Sequence, residues 1–229
     1  MSILSIVSLR KSFVSPEGPR HIIVDIPEFS LSAGQQVALR GESGSGKTTF
    51  LNLIAGILAP DSGGILIDGR NMAALSEPAR DRLRATSLGY IFQTFNLLQG
   101  FTVLENVELG MAFGPSGIDR ARASSLLAHV GLSTKLHHRP RQLSTGQQQR
   151  VAVARALANK PRLVLADEPT GNLDRKHACE AISLISDTCR EAGAALLLVS
   201  HDEEVLAQFE ETRDFAAINR CLSAAGGAS

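Results

Sequence analysis

The chain of 229 residues has three cysteines, no excess of charge of either sign and no long apolar run, and each shortage removes a class of protein. Lys plus Arg and Asp plus Glu both total 23, so no global positive charge points to a polyanion, and no nucleic-acid partner is expected. Cys179, Cys189 and Cys221 lack metal-ligand spacing, and an odd number would leave one unpaired in a secreted protein. On one helix, Cys179 and Cys189 would stand ~15 Å apart along the axis and could not bridge. Reduced thiols in a cytosolic setting follow. The most apolar stretches, such as residues 194–199, fall far short of the ~20 residues that span a bilayer. Residues 1–7 are apolar, carry no positive leader and run into Arg10 and Lys11, which reads as a strand rather than a signal peptide. A membrane role must therefore come through a partner. No internal repeat is visible, and only the small-residue end of the chain, taken as 221–229, has the composition of a flexible tail.

What is present centres on Gly41-Glu42-Ser43-Gly44-Ser45-Gly46-Lys47-Thr48, which fits the phosphate-binding pattern G-x-x-x-x-G-K-[ST]. A short apolar strand, residues 36–39, precedes it, and a helix beginning at Thr49 follows, so the pattern sits in the context that gives it meaning. Three glycines and the small Ser43 and Ser45 let successive N–H groups converge on one anion. The helix behind the loop directs its positive end at the same point. Lys47 is placed to reach the β- and γ-phosphates, and the Thr48 hydroxyl can ligate Mg²⁺.

Around this loop the chain reads as an α/β protein. Residues 3–9, 22–29 and 36–39 are β-prone runs suited to an N-terminal antiparallel layer, and residues 64–67 form another strand ending at Asp68-Gly69. Helical patterns fill much of the stretch from 72 to 160, including residues 104–111, 119–130 and 145–159, with a strand at 88–92. The apolar runs 163–166 and 194–199, joined by a helix at 174–192, are of the kind that makes a parallel sheet covered on both faces. The expected division is a core with its β layer at 1–92 and 161–220, and a helical subdomain at 93–160.

Asp167 and Glu168 end the run 163–166, placing two carboxylates at the edge of a central strand where open α/β sheets bind ligands. Asp167 can hold Mg²⁺, and Glu168 can orient the water that attacks the γ-phosphorus.

With these residues in place, the sequence resembles the nucleotide-binding subunit of ATP-binding cassette (ABC) transporters over essentially its full length. In the family's order come the phosphate loop, the Q-loop glutamine Gln93 in Tyr90-Ile91-Phe92-Gln93, and the signature Leu143-Ser144-Thr145-Gly146-Gln147. Asp167-Glu168, the D-loop Gly171-Asn172-Leu173-Asp174 and the switch His201 complete the set. The resemblance implies a P-loop NTPase core with a predominantly parallel sheet, and a helical subdomain carrying the signature. It also implies ATP and Mg²⁺, with Lys47, Gln93, Glu168 and His201 as catalytic residues and Thr48, Gln93 and Asp167 around the metal. Ser144, Gly146, Gln147 and Asp174 would close on the ATP held by a second copy, giving a head-to-tail homodimer formed on ATP binding. Phe13 falls where the family stacks a ring on adenine, and a core position explains it equally well. Thr145 replaces the commoner glycine of the signature; it weakens the closed dimer if that position needs positive φ or close approach, and is neutral otherwise.

Finer features, among them Thr94-Phe95-Asn96-Leu97-Leu98 and Pro169-Thr170-Gly171-Asn172-Leu173-Asp174, look most like the lipoprotein-release and macrolide-export group of MacB, LolD and FtsE type. That likeness implies a subunit on the cytoplasmic face of the membrane, held there by a permease with few transmembrane helices of FtsX or MacB kind. Residues 95–102 would receive its coupling helix. The alternative is a soluble ABC ATPase in a non-transport complex; such proteins usually carry paired cassettes, a long coiled-coil insert or zinc ligands, none of which is evident here. Residues 213–220 match the group less well and carry no assignment.

Overall fold

A computed structural model describes residues 1–15 and 18–225. Two sheets share the chain. The antiparallel one has strand order β2-β1-β4-β5, from β1 (Ser2–Val14), β2 (Arg20–Ser32), β4 (Ser62–Ile67) and β5 (Arg70–Asn71). The parallel one has order β6-β7-β8-β3-β9, from β3 (Gln36–Arg40), β6 (Leu88–Ile91), β7 (Leu163–Asp167), β8 (Ala195–Ser200) and β9 (Thr212–Asp214). Helices α1 (Lys47–Ile54), α2 (Glu77–Ser87), α3 (Val103–Met111), α4 (Arg120–His129), α5 (Thr145–Ala156) and α6 (Arg175–Glu191) come between strands. After β8 follow three short helices, α7 (Glu203–Leu206), α8 (Phe215–Ile218) and α9 (Arg220–Ala225).

The central strands explain why the sheet is parallel and buried. Every residue of β7 and β8 is buried, and the two faces divide by alternation. Leu163, Leu165 and Leu197 join α1 and the antiparallel sheet in one core, whereas Val164, Ala166 and Leu196 join α5 and α6 in another. Period-2 side chains with apolar residues at both phases can be satisfied only between two covering layers. At the first core's centre Phe50 of α1 lies 5.6 Å from the rings of both Phe29 and Phe215. A third core, including Phe95, Val107, Leu127 and Val151, is built mainly from residues of α3 to α5, the segments that join them and the stretch between β6 and α3.

Two expectations need correction. Residues 36–39 belong not with the antiparallel layer but in the parallel sheet, where β3 pairs with β8 on one side and β9 on the other. A short apolar run does not specify its partner; the pairing is set by strands far along the chain. The tail expected at 221–229 begins as part of α9, whose Leu222 packs on the first core; residues 226–229 lie outside those described. Cys179 and Cys189 do share α6, and all three cysteines are unpaired thiols.

Candidate nucleotide site

β3 delivers the chain to the edge of the parallel sheet, and the loop from Gly41 to Gly46 turns it into α1. Gly46 caps that helix in the left-handed region, φ 98°, and contributes no side chain, so the first N–H groups of α1 are left for an incoming acceptor. A Cβ there would sit 3.1 Å from the carbonyl oxygen of Ile23 and 3.0 Å from its Cγ2, so glycine is required by both backbone and space. Lys47 is almost fully buried, and its Nζ donates to the carbonyls of Gly41 at 2.6 Å and Glu42 at 2.8 Å, spanning the loop from within. The Ser45 Oγ is buried in the same loop without a hydrogen-bond partner among the described residues. A buried orphan hydroxyl inside a ring of amides is a group that a phosphate oxygen would satisfy.

From the other side, β7 brings Asp167 and Glu168 to the same edge. The Thr48 hydroxyl donates to Asp167 Oδ1 at 3.1 Å, tying the helix start to the strand end. Burial pushes the Asp167 carboxyl above its ordinary range; the Thr48 bond opposes this, the Glu168 charge adds to it and the Lys47 ammonium opposes it. Glu168 holds a left-handed backbone, φ 42°, uncommon for a side chain with a Cβ. Two main-chain bonds fix it: Glu168 N–H to Val199 O at 3.1 Å and Gly171 N–H to Glu168 O at 3.1 Å. The outcome is a carboxylate whose Oε1 lies 3.0 Å from His201 Nδ1 and 3.5 Å from Lys47 Nζ.

Gly46, Lys47, Thr48, Glu168 and His201 line a cleft of about 350 Å³ that also takes in Ser43, Gly44, Thr49 and Gln93. Gln93 is exposed at its rim, near Gly171, and its carbonyl accepts from Asn172 Nδ2 at 2.8 Å. Phe13 lines the same cleft and is 43% exposed, so the core explanation for that residue does not hold. Ile23 is a lining residue that sequence reading did not single out, because nothing local ties β2 to a loop twenty residues on.

The signature residues lie elsewhere. Ser144 caps α5, its Oγ accepting from Gln147 N–H at 3.3 Å while Gln147 Oε1 accepts from Ser144 N–H at 3.1 Å. With Gly146 they line a second cavity of about 410 Å³ facing His177 and Glu180 of α6. Asp174 caps α6 and accepts from His177 N–H at 3.2 Å. Thr145 is an exposed residue opening α5 with ordinary helical backbone, so this position makes no demand for positive φ.

A phosphate loop, a strand-end acidic pair and a capped signature helix in one fold find their counterpart among known proteins. A profile described as ABC transporter matches residues 24–171. The chain belongs to the ABC transporter family. It is 43% identical over 212 residues to the lipoprotein-releasing system ATP-binding protein LolD of Pseudomonas fluorescens, covering 91% of this chain and 92% of that one. The LolD of Pseudomonas syringae pv. tomato is 42% identical with the same coverage. Among solved structures, the ATP-binding cassette MJ0796 in a dimeric post-hydrolysis state bound to ADP and Pi has a TM-score of 0.83 at 34% identity, over 92% of this chain and 93% of that one. The protein is thus an ABC transporter ATP-binding subunit and an ATPase, with the P-loop α/β fold.

Proposed function

We propose that this ABC ATPase works as a head-to-tail pair on the cytoplasmic face of a membrane, driving a permease with few transmembrane helices in lipoprotein release or a closely related force-transmitting export. The observation that carries the hydrolytic step is the placement of Glu168. Its carboxylate faces the cleft between Lys47 and His201, at the end of the strand whose Asp167 is bonded to Thr48. Glu168 takes the proton of the attacking water, and His201 holds that water or donates to the γ-phosphate. Lys47 and the loop amides stabilise the charge that shifts as the phosphoryl group leaves.

Oxygen donors at Thr48, Asp167 and Gln93 suit a hard cation, and a cation beside Asp167 would offset the burial of its carboxylate. Mg²⁺ held there would neutralise charge on the phosphate oxygens. Phe13, exposed at the mouth of the cleft, takes the base. Ser144, Gly146 and Gln147 would receive the triphosphate of the partner copy, with Asp174 beside the seam. No helix among the described residues is long and apolar enough to cross a membrane, so force has to pass across a surface. That surface is the segment 95–102, where Phe95 and Leu97 are anchored in the third core and Leu98 and Phe101 stand exposed for a coupling helix.

The test is to purify the tagged chain from detergent-solubilised membranes and identify what accompanies it. A few-helix membrane subunit is expected; a many-helix permease or a soluble complex overturns the proposal.

A further inference from the structure

Asn219, between α8 and α9, lies in the stretch to which the sequence assigned nothing, and it is wholly buried. Its side chain reaches across to β2. Oδ1 accepts from the main-chain N–H of Asp25 at 2.9 Å, and Nδ2 donates to the carbonyl of Ile23 at 2.9 Å. One amide therefore grips the strand on both sides of Val24, and only one orientation of that amide supplies an acceptor to the N–H and a donor to the C=O. The Ile23 it holds is the wall against which Gly46 rests, and both Ile23 and Phe13 line the nucleotide cleft. Behind Asn219 the anchor is firm. Its own N–H donates to Phe215 O at 2.9 Å, and Phe215 packs on Phe50 of the helix that follows the phosphate loop.

We infer that Asn219 is a positioning residue of the ATP site: it fixes the Ile23 edge of β2 against the phosphate loop and so sets how tightly the cleft holds nucleotide, without touching it. Removing the amide leaves the partly buried Asp25 N–H and Ile23 C=O without this partner, and the strand edge must move to reach water. Glu168, His201 and Asp167 hang from β7 and β8 and do not depend on that edge. The effect therefore falls on binding and spares the chemical step. The inference rests on the reading that this cleft is the ATP site.

The experiment compares KM for ATP and kcat in the full chain carrying Asn219→Leu, Asn219→Asp or Phe13→Ala, and measures binding of a fluorescent ATP analogue to Lys47→Ala. Asn219→Leu, which loses both bonds, should raise KM about tenfold with kcat within about twofold, and Asn219→Asp, which keeps the acceptor, should raise it by less. A KM at the wild-type value in a folded variant, or a loss confined to kcat, overturns the inference. Should both variants fail to fold, hydrogen exchange in the wild-type chain decides: the Asp25 amide should exchange more slowly when a non-hydrolysable ATP analogue saturates the protein, and unaltered exchange overturns it. Lys47→Ala separates the two levels, because undiminished ATP binding there removes the cleft reading itself. A normal KM in Phe13→Ala removes only the stacking role and leaves the Asn219 inference standing.

Discussion

Asn172 Nδ2 donates to the main-chain carbonyl of Gln93 at 2.8 Å, joining the loop after β7 to the loop after β6 at the rim of the nucleotide cleft. This bond would couple a movement of either loop to the other. Asn172→Ala should lower kcat about fivefold, the worth of one hydrogen bond of ~1 kcal/mol, while leaving nucleotide affinity near wild type. Steady-state ATPase assays alongside titration with a fluorescent ATP analogue decide the matter, and an unchanged kcat would remove Asn172 from the coupling path.

Glu168→Gln preserves size and removes the proposed base. Turnover should fall by about 10²-fold or more, with ATP still bound and a dimer persisting on size-exclusion chromatography in ATP. In the unmodified chain, specific activity should climb with protein concentration as the shared sites assemble. Retained hydrolysis in the variant, or a flat concentration dependence from a demonstrated monomer, would refute the respective step.

The partners of the Asp61 carboxyl hold it below its ordinary range. Its carboxylate accepts from the Ser12 hydroxyl at 2.5 Å and the Ser12 N–H at 2.8 Å, and pairs with Lys11 and Arg20. The Ser12 hydroxyl bond first, then the backbone and Lys11, hold the group at about 2 against an ordinary 3.8. A depressed acid contributes stability that is fully present above 3.8 and disappears as pH falls toward about 2. Asp61→Asn should therefore flatten the pH dependence of unfolding across that window, read by chemical denaturation at a series of pH values. An identical acid limb in the variant would show that the pairing contributes nothing.

Phe50 is the residue on which β2, α1 and α8 converge, fully buried between two other rings. Phe50→Ala should cost about 3–5 kcal/mol and lower Tm by roughly 10 °C. A calorimetric shift under a few degrees would mean that the site collapses around the smaller side chain.

Much of this fold is legible in the sequence where the signal is local. The buried strands β7 and β8 announce themselves as unbroken apolar runs, and Gly193 and Pro161 mark helix ends that the structure keeps to within a few residues. The phosphate loop, Asp167, Glu168, Gln93 and His201 are recognisable one by one, and the fold gathers all of them at one sheet edge. What stays hidden is pairing at a distance. β9 is three residues long and polar in sequence, so no periodicity marks it, and β3 looks no different from the strands of the other sheet. The roles of Ile23 and Asn219 depend on a contact across nearly the whole chain, for which composition and spacing hold no trace.

The strand that carries the phosphate loop has both its neighbours, β8 and β9, supplied by segments far later in the sequence. β3 thus stays with both edges bare until β8 and β9 have been made, and until then the phosphate loop lacks the strand pairing that positions it. Competence to hold nucleotide is in this sense a late event of synthesis: a product cut short before β8 would lack the pairing on which the cradle is built, whatever else of it folds.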